Sequence, residues 1–209
     1  MTFRALGLAG LTLALALPAS AQTANYSAAI DAERLTGADT ENESWLSYGR
    51  TYDEQRYSPL NQINHDTVNQ LGLSWYADMT TSRGQEATPI VVDGALYIST
   101  AWSLVHAFDV RTGERLWSYD PQVAREKGLD ACCDVVNRGV AAWGGRIFVG
   151  TIDGRLVALD SASGEVDWEV MTVDESLPYT ITGAPRVAKG KVLIGIGGAE
   201  YGVRGYVTA

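Results

Sequence analysis

The amino-acid sequence predicts an all-β fold made of the first three or so blades of a propeller, in which four-stranded sheets surround a central axis. The motif Ala-x-Asp-x-x-Thr/Ser-Gly-x-x-x-Trp occurs at 107–117 and again at 158–168, an offset of 51 residues. Glycine is abundant, with 22 of 209 residues, and no long stretch has helical periodicity. A period of about 40–50 residues with a turn and a tryptophan in each copy is typical of propeller blades. The alternative, an unrelated antiparallel sandwich, does not explain the identical spacing.

The strand in front of the motif repeats as well. A glycine followed by alternating apolar residues occurs at 93–98, 144–149 and 189–194. The motif alanine follows this glycine by 13 residues in the first two copies and by 19 in the third, which indicates an insertion of six residues around 197–202. The chain stops at Ala209, where the third motif would begin. Since about three blades cannot close a propeller, we expect the chain to be the amino-terminal part of a longer protein.

Each motif suits a tight turn followed by an anchored strand. The aspartate can accept hydrogen bonds from the turn amides, and the glycine takes a positive φ. The tryptophan is a large apolar anchor, and we interpret both motif tryptophans as structural docking residues. The residues in these roles are Asp109, Gly113 and Trp117 in the first copy and Asp160, Gly164 and Trp168 in the second.

The segment between the amino terminus and the repeats predicts short elements. Residues 22–42 predict a loop or short helix that lies across the surface. Residues 44–50 and 73–77 have the apolar alternation of strands. Between them, Pro59 interrupts regular structure, and residues 64–71 suit a brief helix with a polar N-cap.

The first 21 residues have the three parts of a secretory signal peptide. Arg4 precedes an apolar run, and small residues precede a cleavage position after Ala21. The run is shorter than the roughly 20 residues that a membrane-spanning helix needs, and polar sequence follows it. We therefore expect residues 22–209 to form part of one propeller domain that is exported to a bacterial periplasm and has no membrane span.

The composition is acidic. The formal net charge of −9 becomes −10 once Arg4, the only charged residue of the signal, is removed. An acidic surface disfavours binding to nucleic acid and to anionic membranes. We therefore expect neither of them as a partner.

The only two cysteines, Cys132 and Cys133, are adjacent in the sequence. Neighbouring Cα atoms lie about 3.8 Å apart, whereas an ordinary disulfide has about 4.4–6.8 Å between them. A bond between these cysteines would close a small strained ring, and such strain tends to accompany function. Two reduced cysteines that act as small apolar residues are the alternative. Export favours the oxidised pair, because disulfides persist in the periplasm.

Residues 132–139, with the sequence Cys-Cys-Asp-Val-Val-Asn-Arg-Gly, together with the tryptophan repeats, resemble the quinoprotein alcohol dehydrogenases. The likeness extends over nearly the whole chain after the signal and includes 56–64 and 84–89. It implies an eight-bladed β-propeller, a periplasmic location and pyrroloquinoline quinone (PQQ) as cofactor. Residues 135–136 and 141–145 look more like the ethanol-type members of the family than the methanol-type ones.

The resemblance places one face of PQQ on the ring formed by Cys132 and Cys133, with Arg138 beside the cofactor. PQQ is a flat orthoquinone with three carboxylates, and the planar guanidinium of Arg138 can form a fork with a carboxylate or a quinone oxygen. A surface salt bridge is the alternative role for Arg138. The plane on the other face of PQQ is, in this family, a tryptophan of a later blade. It is therefore assigned to none of Trp102, Trp117, Trp143 and Trp168.

Three further residues match cofactor or metal positions of the family, and two more are small residues in the insertion of the third repeat. Thr182 would donate its hydroxyl to a PQQ carboxylate, with a local turn bond as the alternative. Glu86 would lie near a PQQ carboxyl group and would be protonated or share a proton, with an exposed loop acid as the alternative. Gly198 and Ala199 would let the backbone approach the cofactor closely. Glu200 matches the ligand of Ca²⁺, or of a lanthanide in some members, and carboxylate oxygens suit such hard cations.

The resemblance also implies a reaction. A small primary alcohol would be oxidised to the aldehyde by hydride transfer to PQQ, with the metal ion as Lewis acid and an aspartate as base. No catalytic residue is assigned in this chain, since that aspartate would follow Ala209. A periplasmic cytochrome c is the expected electron acceptor, and a homodimer is compatible with the family. We expect residues 1–209 alone to bind no PQQ tightly and to oxidise no alcohol.

Two other functions are alternatives at this point. A scaffold propeller of the outer-membrane assembly machinery carries similar repeats, but it predicts no adjacent cysteines and a lipidated cysteine at the signal cleavage site. A PQQ sugar dehydrogenase shares the cofactor, but the membrane-bound glucose enzymes carry several amino-terminal spans.

Overall fold

The structure, a computed structural model, describes residues 26–209 and contains three antiparallel sheets that follow one another along the chain. The predicted signal peptide lies outside the described residues. The first sheet contains β1 (Ile90–Val92), β2 (Ala95–Ser99), β3 (Val105–Asp109) and β4 (Arg115–Tyr119). The second contains β5 (Ala141–Trp143), β6 (Arg146–Gly150), β7 (Arg155–Asp160) and β8 (Val166–Met171). The third contains β9 (Arg186–Ala188), β10 (Lys191–Gly195) and β11 (Val207–Thr208).

Each strand of a sheet pairs with the strand that follows it in the chain, so the first two sheets are four-stranded meanders and the third has three strands. Ala107 of β3 lies opposite Trp117 of β4, and Ala158 of β7 lies opposite Trp168 of β8. In both sheets the register shifts immediately after that alanine. The repeat in the sequence is therefore a repeat in the structure, including the position of a bulge.

The predicted aspartate turns are confirmed between β3 and β4 and between β7 and β8. Oδ1 of Asp109 accepts hydrogen bonds from the amides two and three residues ahead, at 2.9 and 2.8 Å. Oδ1 of Asp160 does the same at 3.0 and 2.9 Å. These bonds, above all the one from the amide three residues ahead, hold the pKa of both carboxyls below the usual range for aspartate.

The motif tryptophan docks on the glycine of the next blade. The ring of Trp117 lies against Gly164, where a Cβ atom would come within 2.6 Å of it, and Nε1 donates to the carbonyl oxygen three residues before that glycine at 2.9 Å. Trp75 makes the same two contacts at Gly113, at 2.6 and 2.9 Å. The structural role of Trp117 is confirmed. Trp75 is a further docking residue, hidden in the sequence because no copy of the turn motif precedes it.

Two predicted strands are wrong. Residues 73–77 form no strand: Trp75 docks, while Leu73 and Tyr76 on either side of it are exposed. A strand needs a partner for its backbone groups, and none of the three described sheets includes this segment. Residues 44–50 contribute a single antiparallel bridge, from Trp45 to Val91, and then turn away.

The amino-terminal segment forms a short helix on the surface, as predicted: most of residues 26–42 are exposed or partly exposed, and a few apolar residues face the blades. This segment contains the helix α1 (Ala32–Thr36), which Asp31 caps by accepting a 2.9 Å hydrogen bond from the amide of Arg34. Ile30 and Leu35 are buried among the apolar residues that join the first two sheets. Because a five-residue helix is too short to persist alone, burial of these side chains against the blades is what stabilises it.

One apolar core joins the first and second sheets. Tyr97 and Val105 of the first sheet and Ile147 and Val157 of the second are fully buried in it. Along β2 the first, third and fifth residues are buried, as expected for a strand with one face on a core. All five residues of β3 are buried, so this strand is covered on both faces.

Four short 3₁₀-helices lie before or between the strands of the described part of the chain. They are Val68–Gln70, Ala101–Ser103, Arg125–Asp130 and Ala199–Tyr201. The first lies inside the helix predicted at 64–71, where the side chain of Asn64 accepts hydrogen bonds from the amides of Asp66 and Thr67. That prediction is confirmed in position, but the helix is a single 3₁₀ turn. No helix within residues 26–209 is both long enough and apolar enough to cross a membrane.

Candidate cofactor-binding site

Three chain segments lie side by side just before the first strands of the three sheets. The amide of Thr88 donates to the carbonyl oxygen of Arg138 at 3.2 Å. The amide of Arg138 in turn donates to the carbonyl oxygen of Thr182 at 2.9 Å. Thr88 and Gly139 also form a parallel bridge. Gly139 has a φ of 139°, and a Cβ atom there would lie 3.2 Å from the carbonyl oxygen of Thr88. The glycine therefore allows the first two segments to come this close.

These segments bring three predicted site residues together. Nη2 of Arg138 lies 2.9 Å from Oε2 of Glu86, and Nη1 donates to Oγ1 of Thr182 at 2.5 Å. The Arg138 and Glu86 side chains are 38% and 43% exposed, so the cluster is open to solvent. Arg138 does form a salt bridge, the alternative role considered for it, but with another predicted site residue. The hydroxyl of Thr182 is held by Arg138 and not by a local turn bond.

The hydrogen bonds leave each group with a defined capacity for a ligand. Oγ1 of Thr182 accepts from Arg138, and its O–H donates to no other group within residues 26–209, so it can donate to a ligand. The guanidinium has further N–H donors in one plane, which suit a carboxylate. Because Arg138 offsets the charge of Glu86, an approaching anion meets a carboxylate that is already paired with a cation. The cluster can therefore bind an anionic ligand with several oxygen atoms.

A buried amide supports Arg138 from the interior. Asn137 is 1% exposed, and its Oδ1 accepts hydrogen bonds from Ser99 Oγ at 2.6 Å and from the amide of Gly139 at 3.1 Å. Its Nδ2 donates to the carbonyl oxygen of Gly150 at 2.8 Å. Asn137 thus ties the segment to both the first and second sheets. Asn137 is not among the predicted site residues. It lies 51 residues after Glu86, which is the offset of the repeat, so it occupies the position in the second blade that Glu86 occupies in the first, and this equivalence could have identified it.

The Cys132–Cys133 pair forms a disulfide, with its Cα atoms 3.8 Å apart, and both residues are exposed. The oxidised form predicted for the pair is present. Asp134, which follows, has a φ of 72° and pairs with Arg83 at 2.5 Å. The amide of Val135, and then the guanidinium of Arg83, hold the pKa of Asp134 below its usual range. The disulfide loop is thereby attached to the segment that leads into the first sheet.

The loop inserted in the third sheet returns to the segment that carries Thr182. Gly197 forms an antiparallel bridge with Thr180, through hydrogen bonds of 2.7 and 3.3 Å. Gly198 has a φ of 120°, and a Cβ atom there would lie 2.5 Å from the carbonyl oxygen of Pro178. A side chain does not fit at this turn, so the small residue predicted to allow a close approach also has a structural reason to be glycine.

Ala199 and Glu200 begin the 3₁₀-helix Ala199–Tyr201 in this loop. Glu200 is exposed. Within residues 26–209 no three His, Cys, Asp or Glu side chains converge as a metal site. The described chain therefore offers Glu200 as a single carboxylate ligand. Its role, like the cofactor roles of the other predicted site residues, stays a prediction.

The sequence matches a family model described as "PQQ: Glucose/ethanol/alcohol dehydrogenase, beta-propeller domain" over residues 45–196. The chain belongs to this family. Among curated members, the 1-butanol dehydrogenase (cytochrome c) of Thauera butanivorans is 61% identical over 166 residues, which are 79% of this chain and 24% of that protein. The chain thus spans about a quarter of the length of this curated relative.

Solved structures of the PQQ dehydrogenase family share the arrangement of the sheets. The quinohemoprotein alcohol dehydrogenase of Comamonas testosteroni matches with a TM-score of 0.85 and 52% identity, over 90% of this chain and 28% of that one. A europium-containing methanol dehydrogenase matches with a TM-score of 0.79 and 40% identity, over 84% of this chain and 31% of that one. The predicted propeller fold and the predicted family are confirmed. Membership of a dehydrogenase family disfavours the scaffold alternative.

Proposed function

We propose that this chain forms the amino-terminal blades of a PQQ-dependent alcohol dehydrogenase and supplies the part of the cofactor site that holds the carboxylates. The observation that carries the proposal is the bridge made by Arg138 between Glu86 and Thr182, which is open to solvent. The family match and the similarity to proteins named alcohol dehydrogenases support it.

The described residues fit a flat tricarboxylate. Arg138 supplies a cation with spare planar donors, and Thr182 supplies a free O–H, so the two would bind and orient carboxylates of PQQ. The exposed Cys132–Cys133 ring would cover one face of the cofactor and exclude water from it. The Gly198 turn leaves the backbone bare for a close approach.

We propose Glu200 as one ligand of a Ca²⁺ or lanthanide ion beside the cofactor. Its exposed carboxylate is the type of ligand that hard cations prefer. Similarity to a europium-containing methanol dehydrogenase supports a lanthanide as the alternative to Ca²⁺. When bound, PQQ supplies the acceptor for the hydride of a primary alcohol, and the metal ion supplies a Lewis acid.

We also propose that the protein is exported through its first 21 residues and passes electrons to a cytochrome c. The signal pattern around Arg4 and Ala21 supports export. One relative is named a 1-butanol dehydrogenase (cytochrome c), which supports both a primary alcohol as substrate and a cytochrome as acceptor.

The test uses a full-length chain that contains this sequence, purified without cofactor. Addition of PQQ and Ca²⁺ is expected to produce dye-linked oxidation of 1-butanol, with glucose as the comparison substrate. Arg138→Lys keeps the charge but loses the planar fork, so PQQ affinity in an equilibrium absorbance titration should fall by at least about tenfold. Arg146→Lys is the matched control, because Arg146 pairs with Asp167 on the second sheet and contacts none of the proposed site residues.

Three results would contradict the proposal. If the wild-type protein binds no PQQ, the proposed cofactor is wrong. If it oxidises glucose in preference to every alcohol tested, the sugar dehydrogenase alternative is favoured. Unchanged PQQ affinity in the Arg138→Lys variant would remove the observation on which the site assignment rests.

A further inference from the structure

The segment 45–56, which the proposed function does not use, crosses the first strands of all three sheets. It touches each of these strands by a different kind of contact. The contacts are the backbone bridge of Trp45 with Val91 at 2.8 and 3.1 Å, the burial of Leu46 in the apolar core that also contains Ala141 and Ala142, and the hydrogen bond from the Tyr52 hydroxyl to the carbonyl oxygen of Val187 at 2.7 Å. The segment therefore fixes the three sheets relative to one another where the site residues enter them.

Two arginines, Arg56 and Arg186, lie over the ring of Tyr48, which belongs to this segment. The guanidinium carbon of Arg56 is 4.4 Å from the centre of the Tyr48 ring, and that of Arg186 is 4.3 Å from it. Both distances are within the range of cation–π contacts. Arg186 is balanced by an ion pair with Glu54 at 2.9 Å, whereas Arg56 forms no ion pair within residues 26–209. The Arg56 guanidinium is thus held by Tyr48 and by its hydrogen bond to Thr88.

Arg56 is connected to the candidate cofactor site through Thr88. Its Nη1 donates to Oγ1 of Thr88 at 3.2 Å. The amide of Thr88 donates to the carbonyl oxygen of Arg138, and Thr88 forms the parallel bridge with Gly139. Glu86, the ion-pair partner of Arg138, lies two residues before Thr88 on the same segment. A shift of Thr88 would therefore change how Glu86 meets Arg138.

We infer that Arg56 is a positioning residue of the cofactor site. Through Thr88 it holds the segment of Glu86 in register with the segment of Arg138. The inference rests on the proposed function, since PQQ is the anion considered. A guanidinium stacked on Tyr48 and bonded to a hydroxyl suits this role, because both contacts restrict its position.

The experiment is an equilibrium titration of PQQ into the cofactor-free, full-length chain. Arg56→Met should raise the dissociation constant by about tenfold, the scale of a hydrogen bond to a charged group. Arg56→Lys keeps an N–H donor for Thr88 and should recover part of that loss. Thr88→Val should weaken binding to a similar degree, and the double variant Arg56→Met/Thr88→Val should be no weaker than the single ones. Arg146→Met is the matched control and should bind like the wild type.

The outcomes separate this inference from the proposed function. If the wild type binds no PQQ, the proposed function fails. If the wild type binds PQQ and Arg56→Met binds it within about twofold, only the role of Arg56 fails. If the losses of Arg56→Met and Thr88→Val multiply in the double variant, Arg56 does not act through Thr88 and the inference is overturned. Thr88→Val keeps the test decisive should Arg56→Met fold poorly.

Discussion

Replacing Gly164 by alanine should destabilise the protein through the ring of Trp117. The φ of Gly164 is 75°, and a Cβ atom there would lie 2.6 Å from carbon atoms of that ring. The ring is not free to move away, because Trp117 is 8% exposed and its Nε1 donates to the carbonyl oxygen of Ser161 at 2.9 Å. The substitution therefore adds a clash between two blades to a backbone penalty.

Two contributions set the size of the effect. A left-handed backbone costs alanine about 1–2 kcal/mol relative to glycine. Overpacking of a tight core contact costs about 1–3 kcal/mol more. Gly164→Ala should thus lower the free energy of unfolding by about 2–5 kcal/mol. Gly190→Ala is the matched control: the φ of Gly190 is 72° and a Cβ atom there would meet no atom within 4 Å, so only the backbone contribution applies.

The measurement is urea denaturation of the full-length chain, followed by tryptophan fluorescence. The midpoint for Gly164→Ala should lie clearly below that for Gly190→Ala, and both should lie below that of the wild type. Equal midpoints for the two variants would refute the reasoning, because the contact between Trp117 and Gly164 would then add nothing to the backbone penalty.

Two further predictions concern pH and the buried amide. The pKa values of Asp109 and Asp160 are lower in the folded than in the unfolded chain, so their contribution to stability is complete above about pH 4 and is lost as the pH falls towards the folded pKa. The urea midpoint should drop on acidification, and Asp109→Asn should flatten that dependence; an unchanged slope would contradict the role of the turn. Asn137→Ala removes four buried hydrogen bonds and should lower the free energy of unfolding by about 2–4 kcal/mol. The same variant should weaken PQQ binding because Arg138 loses its support, and full PQQ affinity would show that Asn137 does not position the arginine.

The blades could be predicted from the sequence because their signals are local. In each motif the aspartate, the glycine and the tryptophan lie within nine residues, and the turn they form is the one the structure shows. Residues 73–77 lack such a local signal. Their alternation fits a strand, but whether a strand forms depends on a partner elsewhere in the chain, and the docking of Trp75 produces the same apolar pattern.

The site residues could be named from the sequence only one by one. Glu86 and Thr182 are far from Arg138 along the chain, and nothing in the spacing alone shows that one guanidinium reaches both. That contact depends on the parallel placement of the three segments, which is set by Gly139 and by the buried network of Asn137. These two residues act through packing and through hydrogen bonds, which a motif does not reveal.

The repeat nevertheless explains why the site forms at Arg138. Ala87, Arg138 and Gly183 each lie seven residues before the glycine that separates the first two strands of their sheets, so they are equivalent positions. Only the middle one carries a long side chain, and a Cβ atom on Gly183 would meet no atom within 4 Å. Three arginines at these equivalent positions would repel one another. The site is therefore built where the repeat is broken: the second blade supplies the charge, and its neighbours supply the oxygen atoms of Glu86 and Thr182.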